Sequence, residues 1–303
     1  MKKGVLAVVV ASFLYGIMPI FTKKALMEGM TSGAVVFYRL FFSSIVSFIV
    51  LKILGIDISA TKRQITEMCI MGVIGFGATM ALLTMAYSLI PTGLATMLHF
   101  TYPLFVTVVM TIAFKEKMTK AKAFACACAL GGLVLMADFS QLSVAGIVLA
   151  VCSGITYASY VIANKKLQFA SLHGLVIVFY VSCFAAVFFG IKAVITKEMM
   201  LPPTPLALGL VVVIAVFCTV VTLFLLTYGI KTLGASTASV LNMLEPVISL
   251  VAGMVIYSEA ISPKGIVGCL LVIAAGIAVA LDSAANTEVK VKVHVNTDRI
   301  RQL

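Results

Sequence analysis

The sequence predicts an all-α polytopic membrane protein, with ten transmembrane helices arranged as two inverted five-helix repeats. Three observations carry this prediction. Hydrophobic residues make up 62% of the 303 positions and charged residues only 11%, against about half and about a quarter in soluble domains. The mean hydropathy is +1.17, and the apolar residues fall in long unbroken runs, not in the alternating segments of about ten residues that build a membrane β-barrel. The second half of the chain also echoes the first. So few charges cannot cover that much apolar surface in water, which excludes a soluble enzyme, a disulfide scaffold and a disordered chain.

A transmembrane helix takes about 20 apolar residues, and ten such runs can be marked along the chain. The first, 4–22, follows Lys2-Lys3. It has the opening of a signal peptide without a convincing cleavage site, so it reads as a span. Run 32–54 comes after Glu28-Gly29, run 66–87 after the polar stretch from Asp57 to Arg63, and run 92–114 after Pro91. Lys115-Glu116-Lys117 separates it from 119–137, and Asp138 closes that run before 143–163. Lys165-Lys166 precedes 172–195, Pro202-Pro203 precedes 205–228, Lys231 precedes 235–257 and Pro263 precedes 264–282. Each break is a charge or a turn signal. Beyond Asp282 a polar tail alternates Val289, Val291, Val293 and Val295 with polar residues. A lone strand is unstable, so a mobile tail is expected.

The net charge of +11 comes from 22 Lys and Arg scattered in ones and twos between apolar runs. No basic stripe suited to nucleic acid forms. Their distribution is topological: sixteen fall in the segments that share the N-terminus's side, five in the opposite loops, and Arg39 lies within a span. Basic residues mark cytoplasmic loops, so both termini are expected in the cytoplasm of a cell in whose plasma or inner membrane the chain sits. The seven cysteines lie within apolar runs without zinc-ligand spacing and read as small buried hydrophobes. No cofactor and no metal is expected.

The halves align at a nearly constant offset. LYGIMPIFTKK (14–24) meets TYASYVIANKK (156–166) at 142, and FYR (37–39) meets FYV (179–181) at 142. ATMLHFTYP (95–103) meets ASVLNMLEP (238–246) at 143, and Glu116 meets Glu259 at 143. A repeat of five spans is odd, so the second copy enters the membrane from the opposite side, the architecture of secondary transporters. The expected division is a first repeat at 1–141, a second at 142–284 and a cytoplasmic tail at 285–303.

On these residues the chain resembles EamA-type members of the drug/metabolite transporter superfamily. The resemblance rests on Tyr15-Gly16 with Lys23-Lys24, Tyr38-Arg39, Pro103 and Glu116, and in the second half on Tyr157-Ala158, Glu245-Pro246 and Glu259. Tyrosine stands at 15 and 157 where the family usually has Trp, and this chain has no Trp. The resemblance implies a ten-helix transporter of small organic metabolites, often an exporter of amino acids or related compounds. A drug or nucleotide-sugar carrier of the same superfamily is the alternative. A polytopic membrane enzyme would need clustered acids or a His-Asp pair at a membrane face, and Glu67, Asp138 and Asp282 are isolated. No Walker motif is present, so ATP is not the energy source. The expected partners are a small-molecule substrate and the lipid bilayer. Protons or a counter-substrate stay open as coupling species, and a monomer or a homodimer as the assembly.

Polar groups inside the runs mark the candidate site. Proline lacks the N–H that would bond the carbonyl four residues back. Pro19, Pro103 and Pro246 are therefore expected to break their helices and free the carbonyls of Tyr15, His99 and Asn242. Irregular backbone at membrane depth is tolerated against protein or a watery cavity, so these spans are expected to line one. Glu245 sits near the centre of run 235–257, where an ionised carboxylate costs a few kcal/mol. Two roles stay open for it: capping a broken helix, or binding substrate or a proton. Arg39 lies about 6 Å from the centre of its run, and can snorkel or pair structurally or take a substrate carboxylate. His99, Tyr102, Tyr15, Tyr157 and Asn242 complete the candidate cavity. Glu116 and Glu259 lie at span ends as gate or packing elements. Gly72, Gly75 and Gly77, then Ala125, Ala129, Gly131 and Gly132, and Gly268, Ala275 and Gly276 are expected on close helix-packing faces.

Overall fold

The computed structural model describes residues 2–87, 89–90, 92–116, 118–136, 143–257, 263–278 and 281, and every regular element among them is helical. Six segments are long and apolar enough to cross a membrane: Lys2–Met27, Ser32–Ile53, Lys62–Leu83, Val144–Lys166, Gly174–Ile195 and Pro205–Leu233. They coincide with six of the ten runs marked in the sequence. The other four runs hold shorter helices.

In chain order these are α1 (Lys2–Met27), α2 (Ser32–Ile53), α3 (Lys62–Ile70) continued by a π-helical turn, Met71–Gly77, into α4 (Ala78–Tyr87), and then α5 (Thr92–His99) and α6 (Tyr102–Ile112). There follow α7 (Lys120–Met136), α8 (Val144–Lys166) and α9 (Gly174–Ile195). A second π turn, Val216–Val221, joins α10 (Pro205–Ala215) to α11 (Thr222–Leu233). The chain then forms α12 (Ala235–Asn242), α13 (Leu244–Tyr257) and α14 (Pro263–Ala278). Side chains close several N-termini: Thr31 accepts from the Ala34 amide, Ser143 from Gly146 and Thr204 from Ala207, with Pro205 beginning its helix. Thr61 and Gln64 form a reciprocal capping box.

Two expectations about proline resolve differently. Pro103 and Pro246 do mark breaks, because runs 92–114 and 235–257 each divide into two helices, at Phe100–Thr101 and at Met243. Each proline falls in the first turn of the following helix, where a missing N–H costs nothing. Pro19 does not break its helix: α1 continues through it to Met27. Its ring faces outward, and losing one intrahelical bond leaves enough neighbouring bonds to hold the turn. Glu259, Asp138 and the tail beyond Asp282 lie outside the described residues.

Packing follows the repeat. α2 lies along α9, its own counterpart. α1 of the first half seats on α12 and α13, the broken pair of the second half, and α8 seats on α5 and α6, the broken pair of the first. Lipid is as apolar as leucine, so helices in a bilayer associate through close contact and interhelical hydrogen bonds. Glycines supply the closeness. A Cβ on Gly16 would stand 2.9 Å from the Glu245 carbonyl, and one on Gly154 would stand 2.8 Å from the His99 carbonyl. A Cβ on Gly132 would stand 2.5 Å from the Gly268 carbonyl, locking α7 to α14. Outward-facing positions are large and apolar, including Ile112 at 77% exposure and Ile195 at 75%. Water would not tolerate that belt, and a bilayer supplies its solvent.

Candidate functional site

The breaks in the two interrupted runs face one another through a polar centre. Each break is preceded by a polar residue, His99 in α5 and Asn242 in α12, and each of these meets a serine of the opposite half. Ser12 of α1 shares its proton between the Val8 carbonyl at 2.9 Å and Asn242 Oδ1 at 3.1 Å. Ser153 of α8 donates to the Ala150 carbonyl at 2.6 Å and lies 2.9 Å from His99 Nδ1. The imidazole tautomer sets which of the two, the Ser153 hydroxyl or His99 Nδ1–H, donates across this contact. The two serines are 141 positions apart and His99 and Asn242 are 143 apart, so one pairing is the repeat image of the other.

Asn242 also joins the two breaks. Its amide donates to Tyr102 Oη at 3.1 Å and to Glu245 Oε2 at 3.2 Å. Tyr102 and Glu245 are repeat counterparts at the offset of 143, and each falls in the first turn of the helix after its break. A helix N-terminus favours a negative group, which suits the Glu245 carboxylate. Such interhelical bonds average only about 0.6 kcal/mol in membranes. Their contribution is therefore to fix the relative positions of the breaks more than to hold the fold.

Aromatic rings enclose this centre on the α8 side. Tyr102 and Tyr157 meet edge to face with centroids 4.7 Å apart, and His99 lies 5.5 Å from Tyr157 and 5.7 Å from Tyr102. Tyr157 is followed one turn later by Tyr160, 6.1 Å away. On the α1 side Tyr15 is buried and its hydroxyl has no hydrogen-bond partner of good geometry. Arg39 does not snorkel. It is 8% exposed, its Nε–H donates to Thr219 Oγ1 at 2.7 Å, and Nη2 lies 3.5 Å from the Cys218 carbonyl. Arg39 and Glu245 are within electrostatic range of one another, but among the described residues no ion pair joins them.

The seven candidate cavity residues therefore gather around one centre. Ser12, Ser153 and Thr219 belong to it as well and were not singled out by sequence. Small hydroxyl residues are common inside transmembrane helices, and only the alignment of Ser12 with Ser153 at nearly the repeat offset distinguishes them. Among the described residues no group of three His, Cys, Asp or Glu could hold a metal ion.

The ends of the bundle differ. Lys165 Nζ at the end of α8 donates to the Lys231 carbonyl of α11 at 2.9 Å, and Lys231 Nζ donates to the Leu172 carbonyl. The Lys166 ammonium stands 4.4 Å over the Phe114 ring, and Glu116 pairs with Lys122 at 3.0 Å. α6 packs on α12, and a Cβ on Gly234, just before α12, would stand 3.7 Å from Glu116 Oε1. At the other end Lys24, the counterpart of Lys166, turns back to Glu28 at 3.1 Å. The hydrogen bond from Lys24, with a second from the Thr204 hydroxyl at 3.1 Å, holds the half-buried Glu28 carboxyl below the usual carboxylate range. Tyr87's side chain lies outside the described residues, and Tyr228 is exposed.

Comparison with known proteins places the chain in a family. The model of the EamA-like transporter family matches twice, at residues 2–137 and 144–281. A Bacillus subtilis protein named the uncharacterized transporter YoaV is 30% identical over 135 residues, covering 43% of this chain and 46% of that protein. The chain thus spans about half the length of that relative. The uncharacterized transporter sll1319 of Synechocystis is 25% identical over 228 residues, covering 71% of this chain and 68% of its own. A solved crystal structure superposes with a TM-score of 0.80 at 17% identity, over 93% of this chain and 98% of the other, which shows the shared fold. With two matched repeats that take in nearly every helix described above, the chain belongs to the EamA-like transporter family.

Proposed function

We propose that this membrane transporter exports a small organic metabolite, an amino acid or a related compound, across the cytoplasmic membrane by alternating access. In this reading all ten apolar runs cross the bilayer. Residues 1–141 and 142–284 form repeats of opposite topology, and both termini, with the 285–303 tail, are cytoplasmic. The observation that carries the reading is the reciprocal seating of the broken helices, α1 on α12 and α13, and α8 on α5 and α6. Repeats related by a two-fold axis in the membrane plane would seat each other in this way, with the breaks meeting near the midplane.

The unequal ends support alternating access. α6 and α12 meet while α8 reaches α11 and α12, and the Lys165 and Lys166 contacts tie that end together. The α5 and α13 halves pack on α8 and α1 instead, and among the described residues no comparable interface joins them. By the distribution of basic residues the tied end is cytoplasmic, so the opposite, less tied end is where the centre would open. Arg39 and Glu245, opposite charges without a mutual ion pair, suit the carboxylate and ammonium of an amino acid.

Purified protein in proteoliposomes is expected to catalyse counterflow of labelled amino acids. Rates no higher than those of empty liposomes across amino acids, amines, nucleosides and vitamins would overturn the reading. The topology has its own test. In a cysteine-free background, single cysteines at Gly29 and Pro203 are expected to react with an impermeant thiol reagent in intact cells, and one at Asp57 to stay silent. The reverse pattern would invert the orientation.

A further inference from the structure

We propose that the π turn Val216–Val221 is a specificity element that presents Arg39, together with the Tyr15 hydroxyl, to a substrate carboxylate. The proposal deepens the amino-acid reading above and rests on it.

The π turn widens the helix so that hydroxyls reach carbonyls five residues back. Thr219 Oγ1 donates to the Ile214 carbonyl at 3.1 Å, and Thr222 Oγ1 to the Phe217 carbonyl at 2.8 Å. The Thr219 proton is thereby committed, and its lone pairs turn to the Arg39 Nε–H at 2.7 Å. The Cys218 carbonyl of the same turn receives Nη2 at 3.5 Å. A guanidinium has five N–H groups, so one edge is held by the turn and three N–H groups have no partner among the described residues. No carboxylate of the described residues pairs with it. A buried guanidinium without a counter-charge is costly, and an incoming anion removes that cost. The neighbouring Tyr15 hydroxyl is buried, at 6% residue exposure, interacts with Tyr157 but has no hydrogen-bond partner of good geometry among the described residues, and lies within electrostatic reach of Arg39. A guanidinium edge and a phenol hydroxyl are complementary to the two oxygens of one carboxylate.

The other half of the molecule shows what the same position looks like without a ligand task. Val181 is the counterpart of Arg39, and its backbone packs directly on the first π turn, where a Cβ on Gly72 would stand 3.0 Å from the Val181 carbonyl. Gly77 stands at the offset of 142 from Thr219, so no hydroxyl is available there. Among the described residues the first half has no equivalent of this seat.

The test is counterflow in proteoliposomes with the L-amino acids and their carboxamides, which keep the side chain and ammonium but lose the negative charge. Wild type is expected to prefer the acids. Thr219→Val is expected to raise the KM for the preferred acid about tenfold with kcat little changed, the size of one lost bond to a charged group. The amide should be unaffected, and Thr219→Ser should restore the acid. Tyr15→Phe, which removes a hydroxyl that makes no hydrogen bond of good geometry among the described residues, is expected to keep thermal stability while losing acid preference. An unchanged acid-to-amide ratio in both Thr219→Val and Tyr15→Phe, with Arg39→Gln abolishing it, would overturn the proposal and leave the reading of Arg39 intact. An unchanged ratio in Arg39→Gln, or no counterflow of any acid by wild type, would overturn the amino-acid reading itself.

Discussion

Glu245→Gln is expected to yield a folded protein that has lost transport or the pH dependence of transport. The glutamine keeps the shape and can still accept the Asn242 amide proton that now reaches Glu245 Oε2 at 3.2 Å, so the tie between the breaks survives. What disappears is the ability to carry a charge. Glu245 is partly exposed in the first turn of α13, where a substrate ammonium or a proton can reach it. In the emptied site its charge sits in surroundings that disfavour it, and a cationic ligand relieves that penalty. Flux across the neutral pH range, with thermal stability measured in parallel, reads both effects. Normal transport with an unchanged pH profile would reduce Glu245 to a structural acceptor. Should the glutamine variant unfold, Glu245→Asp, which keeps the charge, provides the comparison by binding.

Gly16→Val is expected to be the most damaging single change near the site. A Cβ there would stand 2.6 Å from both Cβ and Cγ2 of Ile248 and 2.9 Å from the Glu245 carbonyl oxygen. Real Cβ atoms do not approach so closely, and a backbone oxygen cannot step aside as a flexible side chain can. Forcing α1 away from α13 would also pull Ser12 from Asn242, so overpacking and lost polar contact add. Overpacking alone costs about 1–3 kcal/mol, and valine adds two more methyl groups to the clash. Thermal unfolding in detergent should drop steeply, whereas Gly209→Ala, whose Cβ meets nothing within 4 Å, should hold or gain stability. A Gly16→Val protein as stable as wild type would show that α1 and α13 are not packed as described.

Much of the fold was legible in the sequence because a bilayer imposes a simple rule: backbone polar groups must be satisfied internally, so apolar runs become helices. The six long helices fall within or close to the marked runs, and the double family match follows the repeat seen in the TKK and NKK endings. Proline was a less reliable guide. The rule that freed a carbonyl at each of Pro19, Pro103 and Pro246 is the same, yet only the two symmetry-related prolines interrupt their helices. The difference is context: their breaks are received by Ser12, Ser153 and the close glycines Gly16 and Gly154, whereas Pro19 faces outward. The π turns left no trace in hydropathy, because a shift in hydrogen-bond register changes no side chain's polarity. Thr219 was therefore invisible as the partner of Arg39, and the alternatives for that arginine could be separated only by seeing where its Nε–H points.

The exchanged seating of the helices also bears on how the protein is made. The ribosome delivers α5 and α6 before it has made α8, so His99 reaches the membrane ahead of the serine that receives it. The converse holds for α1, which waits through most of translation for Asn242 and the seat on α13. His99 and Asn242 each find their serine in the other half, and a nascent first half therefore carries an open helix break into the bilayer. α8 closes the first break as the second half begins, and the other closes only when α12 and α13 reach α1.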